Sequence, residues 1–169
     1  MLSFYRSAIQ LRAGKLMRQK MTALEYQSLA EFRYQIRRYL TNAEQDARGA
    51  GLEPQQYQLL LALRGLPAGR EPSIQTLAER LQVRHHSAVE LADRLEEHGL
   101  IRRQRSKSDR RHVLLSLTQR GERVLDRLAR LRIDDLRNTA PALVQALSAV
   151  IASAQKPATG RRACRPRRA

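Results

Sequence analysis

A mainly α-helical fold closed by one small β-hairpin is predicted by three features of this 169-residue chain. Two short amphipathic stripes stand a tight turn apart, at residues 74–81 and 85–98. Directly after them, residues 100–112 hold six Lys/Arg against one Asp, and His112-Val113-Leu114-Leu115-Ser116-Leu117 alternates as a half-buried strand does. Longer helical stripes lie on either side. Helix, turn, helix, charged hairpin is the order of a winged helix-turn-helix, here with N- and C-terminal helices predicted to serve dimerisation.

The first long helix is predicted over residues 24–48, where Leu29, Phe32, Ile36, Tyr39, Leu40 and Ala43 form one stripe. At roughly 37 Å it exceeds what a small domain needs to bury one face, so it calls for a partner. Gly49-Ala50-Gly51 ends it, and Pro54 suits the first turn of a second helix through Tyr57, Leu60, Leu61 and Leu63 to Gly65. Residues 65–72 are a loop by their Gly/Pro content, after which Ser73 caps a helix packing Ile74, Leu77, Ala78 and Leu81. Gln82-Val83 makes the turn. The following helix places Ala88, Leu91, Ala92 and Leu95 at i, i+3, i+4 and i+7, and Gly99 suits the left-handed position that stops it. Past the hairpin, Thr118 caps a helix carrying Val124, Leu125, Leu128, Leu131 and Leu136, and Thr139-Ala140-Pro141 is predicted to restart the chain into a last helix with Leu143, Val144, Leu147, Val150 and Ile151.

Charge sharpens the division of the chain. The net charge is +16 with a pI near 11.4, yet eleven of the 32 Lys/Arg lie in residues 1–20 and 155–169, which contain no acid. Residues 21–154 keep 21 basic and 16 acidic side chains, a net of only +5. The expected organisation is a basic, poorly ordered extension (1–20), a central domain (21–154) with dimerisation helices at 24–48 and 119–154 around a reading head at 54–118, and a disordered basic tail (155–169). Met21 is the more ordinary start, so the first twenty residues read as an extension or a misassigned start. They lack the long apolar run of a signal peptide or a spanning helix, which argues for a cytoplasmic protein without a membrane partner. Cys164 is the only cysteine, so no intramolecular disulfide forms, in keeping with a reducing compartment. Low aromatic content, 4% with no Trp, argues against single-strand binding by base stacking.

Leu77 to Gly121, LAERLQVRHHSAVELADRLEEHGLIRRQRSKSDRRHVLLSLTQRG, resembles the MarR family of dimeric bacterial transcriptional regulators. The likeness runs from about Leu24 to Ile151. Asp93-Arg94-Leu95-Glu96, Gly99-Leu100-Ile101, Asp109-Arg110-Arg111 and Leu117-Thr118 followed by Gly121 stand at that family's spacings. The resemblance implies a triangular homodimer that sets recognition helices in successive major grooves and wing tips in flanking minor grooves, often released by a small ligand. Two positions depart from the pattern: Arg84 replaces the usual Ser/Thr before the recognition helix, exchanging a cap for a phosphate contact, and Glu53 stands where a Ser/Thr cap often precedes the second helix.

The DNA-facing side chains follow from the helix phase. His85, His86, Ser87, Val89 and Glu90 lie opposite the apolar stripe at the N-terminal turns that meet base edges. Ser87 can donate or accept, Val89 can touch a thymine methyl, and Glu90 can accept from cytosine N4 or simply balance neighbouring arginines. Arg84 and Arg94 complete the helix set. In the hairpin, Arg105, Lys107, Arg110 and Arg111 supply the positive charge, Arg111 or Arg110 being suited to a narrow A·T-rich minor groove, while Asp109 pairs with a wing arginine to fix the loop. The histidines lack the converging third and fourth ligands of a zinc site, so no cofactor or metal is expected; their protonation would instead add phosphate affinity.

Double-stranded DNA, a second copy of the chain and a small-molecule effector are therefore the expected partners. The leading reading is a dimeric repressor released from a pseudo-palindromic operator by a small organic ligand such as an aromatic acid, with Arg37, Arg38, Tyr39 and Tyr57 as candidates to receive it. The alternative is an architectural protein that binds any duplex through its basic ends. An enzyme is disfavoured, because no phosphate-cradling Gly loop or nucleophile and base pair is legible.

Overall fold

A computed structural model describes residues 20–105 and 113–155, with the side chain of Gln155 excepted. The extension before Lys20, the wing tip with Lys107, Asp109, Arg110 and Arg111, and the tail with Cys164 lie outside the described residues. Among the described residues, five helices and one hairpin follow in order: α1 (Ala23–Gly49), α2 (Pro54–Arg64), α3 (Ile74–Leu81), α4 (His85–Glu97), β1 (Ile101–Arg105), β2 (Val113–Leu117) and α5 (Gln119–Gln155). Contacts divide the chain into two compact units, residues 37–140 and residues 1–36 with 141–169.

Local chemistry sets most boundaries. At the start of α1, Thr22 and Glu25 form a reciprocal box: the Thr22 N–H donates to Glu25 Oε2 at 2.6 Å, and the Glu25 N–H to Thr22 Oγ1 at 3.2 Å. These bonds hold the exposed Glu25 carboxyl below its ordinary pKa. Ahead of α2, Glu53 does stand at the N-cap, and Gln56 Oε1 accepts from its N–H at 2.9 Å, so the missing Ser/Thr is partly compensated. Ser73 caps α3 by accepting from the Thr76 N–H at 3.2 Å. The turn between α3 and α4 places Gln82 in the left-handed region, φ 57°, and the Val83 N–H closes it onto Ala78 O at 3.1 Å. A non-glycine residue there costs about 1–3 kcal/mol, a strain that the surrounding helix packing must offset.

Among the described residues, the contiguous hydrophobic cluster lies within residues 37–140. Leu59 and Leu60 of α2, Leu77 of α3, Ala92 and Leu95 of α4, Ile101, Leu115, and Leu128 of α5 are all sealed from solvent. β1 and β2 pair antiparallel with Ile101 opposite Leu117, Arg103 opposite Leu115 and Arg105 opposite Val113. The far edge of β2 is also held, through the Leu115 N–H to Pro72 O at 2.8 Å and a bridge between Ser73 and Leu114.

The junction of α4, hairpin and α5 is knotted by Thr118. Its hydroxyl donates to Gly99 O at 2.7 Å and accepts from the Gly121 N–H at 3.0 Å, while its own N–H donates to Leu100 O at 3.0 Å. Gly99 has φ 66°, as the stop of a helix in the left-handed conformation demands. Gly121 is required for a different reason: a Cβ there would stand 2.0 Å from Leu100 O, so the helix starts in backbone contact with the residue that leads from α4 into β1.

One predicted boundary is corrected. Thr139-Ala140-Pro141 does not restart the chain, because α5 is a single helix with Pro141 inside it. Proline removes one intrahelical N–H. Just before it, Asn138 Nδ2 donates to Asp134 O and Thr139 Oγ1 to Asp135 O, at 3.2 and 2.9 Å, side-chain bonds to the helix backbone in the turn ahead of Arg137, whose carbonyl is the one that Pro141 leaves without a donor.

In the other unit, the described residues are 20–36 of α1 with its lead-in and 141–155 of α5. Its buried positions are Ser28, Gln35 and Ala146, whereas Leu24, Tyr26, Leu29, Tyr34, Val144, Leu147 and Ile151 are exposed. A groove of about 480 Å³ runs between Leu24, Ser28 and Gln35 on one side and Ala142, Ala146 and Ala149 on the other.

Candidate nucleic-acid interface

The candidate reading surface is built on α4 by the phase of its sequence. Ala88, Leu91, Ala92 and Leu95 are buried, which turns the opposite face outward. Arg84, His85, His86, Glu90 and Arg94 are exposed, and Ser87 and Val89 are half-buried. Arg84 occupies the N-cap with extended backbone and makes no side-chain cap, and no acid lies in the first turn. The N–H groups that open α4 thus keep the positive end of the helix dipole available to an anion, and a phosphate is the anion that duplex DNA presents. Among the described residues, Arg84 and Arg94 make no ion pair.

The hairpin begins where α4 ends. Arg102 and Gln104 point to one face of β1, and Ile101, Arg103 and Arg105 to the other. Arg105 is exposed, as a phosphate contact requires, and Arg102 Nε donates to Ser116 Oγ at 3.0 Å across the strand pair.

Arg103 is different from its neighbours. Its Nη1 donates to Glu96 Oε2 at 2.5 Å, its Nη2 to Asp93 Oδ1 at 2.6 Å, and its backbone N–H to Glu96 Oε1 at 3.0 Å. Burial alone would lower its pKa, but the bonds and charges of Glu96 and Asp93 hold it above the ordinary value. The sequence reading missed this trio, although Asp93 and Glu96 at i, i+3 signal one acidic helix face awaiting a cation.

A second ionic group lies among α1, α2 and α5. Arg132, nearly buried, donates to Asp46 and, at 3.1 Å, to Asp135, while its Nε has no partner. Tyr57 is buried beside it; desolvation, with Tyr39 nearby, pushes the phenol pKa up, so it stays neutral. Arg37 and Arg38, named from the sequence with Tyr39 and Tyr57 as candidates to receive a ligand, are exposed, and Arg132 is the cation whose charge acts on the Tyr57 phenol. Among the described residues, no three His, Cys, Asp or Glu side chains group as metal ligands, and no helix is long and apolar enough to cross a membrane.

Two reading elements meeting at a knotted junction define a winged helix-turn-helix protein. Comparison with known proteins makes the assignment specific. A model of the MarR family matches residues 50–112. The structure is similar to CouR, a transcriptional repressor solved on a 23-mer DNA duplex, at 31% identity over 70% of this chain and 87% of that one, with a TM-score of 0.54. It is similar also to AbsC, a MarR family transcriptional regulator from Streptomyces coelicolor (22% identity, 72% and 81% coverage, TM-score 0.61). A third is a point mutant of MepR from S. aureus, bound to an oligodeoxyribonucleotide (20% identity, 80% and 100% coverage, TM-score 0.59). The comparison with curated sequences returned no match. The chain belongs to the MarR family and is a DNA-binding transcriptional regulator of that family.

Proposed function

We propose that the protein is a homodimeric repressor that reads a pseudo-palindromic operator in the cytoplasm and is released by a small organic ligand, an aromatic acid being the first class to test. The observation that carries the DNA-reading part is the uncapped, acid-free start of α4, with Arg84, His85 and His86 outward and Ser87 and Val89 half-exposed beside them. Ser87, Val89 and Glu90 address base edges; Arg84, Arg94 and Arg105 address phosphates. Lys107, Arg110 and Arg111 enter the flanking minor groove by their sequence position, with Asp109 ordering the loop. CouR and MepR, each solved with nucleic acid, support a duplex as the partner.

Dimerisation is supported by the exposed apolar residues of α1 and α5. Leu24, Leu29, Leu40, Val144, Leu147 and Ile151 leave more apolar surface in water than a lone chain should. A second copy covers it by a two-fold arrangement, the commonest for soluble oligomers.

Selection of bound duplexes from a random pool, with and without a panel of aromatic acids, tests site symmetry and ligand response together. The expected result is one two-fold symmetric site whose recovery falls with an effective acid. Enrichment of no sequence, with protection of every duplex at low salt, would favour the architectural alternative, which the basic residues 1–20 and 155–169 support.

A further inference from the structure

The geometry points to Arg103 as a positioning residue that sets sequence discrimination by locking the recognition helix to the wing strand. This inference rests on the DNA-reading role proposed above. Asp93 and Glu96 lie one turn apart on α4, and Arg103 lies on β1 with its side chain only 27% exposed. One guanidinium fork therefore takes a carboxylate on each arm, while the Glu96 carboxylate also receives the Arg103 N–H. Three bonds join the strand to the helix. A single bond would let the two elements pivot, whereas a fork with a backbone anchor fixes both distance and angle.

The fixed angle matters because α4 and the hairpin must meet one duplex together. Base discrimination needs side chains held to a fraction of an ångström, and such precision comes from supporting residues that touch no base. Arg103 is spent on protein carboxylates, so it is not offered to phosphate as Arg105 is. Its loss would also strand two carboxylates on a helix that approaches DNA.

Charge and position make opposite predictions, which allows a decisive test. In the full-length protein, Arg103→Ala removes one positive charge, whereas Asp93→Asn with Glu96→Gln removes two negative ones. Affinity is measured for the selected operator and for a scrambled duplex of equal length, at matched salt, with the melting midpoint of each variant recorded. If Arg103 positions the two elements, the operator-to-scrambled ratio falls about tenfold or more in both variants, although general affinity moves in opposite directions, and Arg103→Lys recovers part of it.

A ratio unchanged in both variants, or lowered in Arg103→Ala alone, would overturn the assignment. Should Arg103→Ala fail to fold, the double variant and Arg103→Lys decide by the same ratio. A wild-type ratio near one would sink the proposed function instead; amide exchange of residues 101–105 in the DNA-free protein then judges the lock, which requires faster exchange in both variants and fails if exchange is unchanged.

Discussion

Residues 37–140 bury their large side chains, and the described residues of the other unit expose theirs. Leu59 and Leu60 have no solvent exposure, whereas Leu24 keeps 52% and Val144 61%. In the first unit leucine meets leucine across helices; in the second the covered positions are Ser28, Gln35 and Ala146, and the aliphatic ridges face water. Leu40, Leu131 and Ile133 extend the same exposure into the flanking helices of the first unit. Fully burying such a side chain is worth about 1.5–3 kcal/mol, so one region has already collected its hydrophobic stabilisation and the other has it still to gain. The core of residues 37–140 thus holds its shape by its own contacts, and the exposed ridges of the terminal helices are the surface on which the proposed dimer rests.

The comparison can be broken most forcefully in the core. Leu59→Ala should cost about 2–5 kcal/mol in denaturant unfolding, because the cavity lies where every neighbour is packed. A loss below about 1 kcal/mol would deny that residues 37–140 are self-sufficient. Next in size, Val144→Asp with Ile151→Asp should weaken self-association by about tenfold or more in sedimentation. On a lone chain the same exposed changes would alter stability by no more than about 0.5 kcal/mol each; a variant that stays dimeric would take these helix ends out of the interface, and a wild type that sediments as a single copy would remove the dimer from the proposed function.

Smaller effects sharpen the contrast at helix starts. Ser73→Ala should lower stability by about 1 kcal/mol, read in thermal unfolding, since the α3 cap is part of the packed head. Glu25 offers the weakest change and a pH signature. Its folded pKa is depressed by bonds from Thr22, so its contribution is present above the ordinary carboxylate pKa and fades as pH falls through the lowered value. Acid titration of amide exchange at the start of α1 should show that fading in the wild type and none in Glu25→Gln.

Much of the reading head was legible because its determinants are short-range. Ser73 and Thr76, Thr118 and Gly121, and the left-handed Gly99 each act within a turn of helix, so residue type and spacing reveal them. The outward face of α4 followed from the period of its alanines and leucines. Pro141 misled for the same reason: a local rule says that proline ends a helix, while here the helix continues with Asn138 and Thr139 serving its carbonyls.

By itself, then, the sequence determined the order of elements, their caps and the side of α4 that faces outward, since hydrophobic period and capping act over three or four residues. Only the tertiary structure decided which charges meet. Arg132 finds Asp46 across 86 positions, and Arg103 rather than any of its neighbours joins Asp93 to Glu96. Six basic residues near the hairpin look alike in one dimension. Packing makes them differ, by bringing one guanidinium within bonding distance of two carboxylates and leaving another, Arg105, in water.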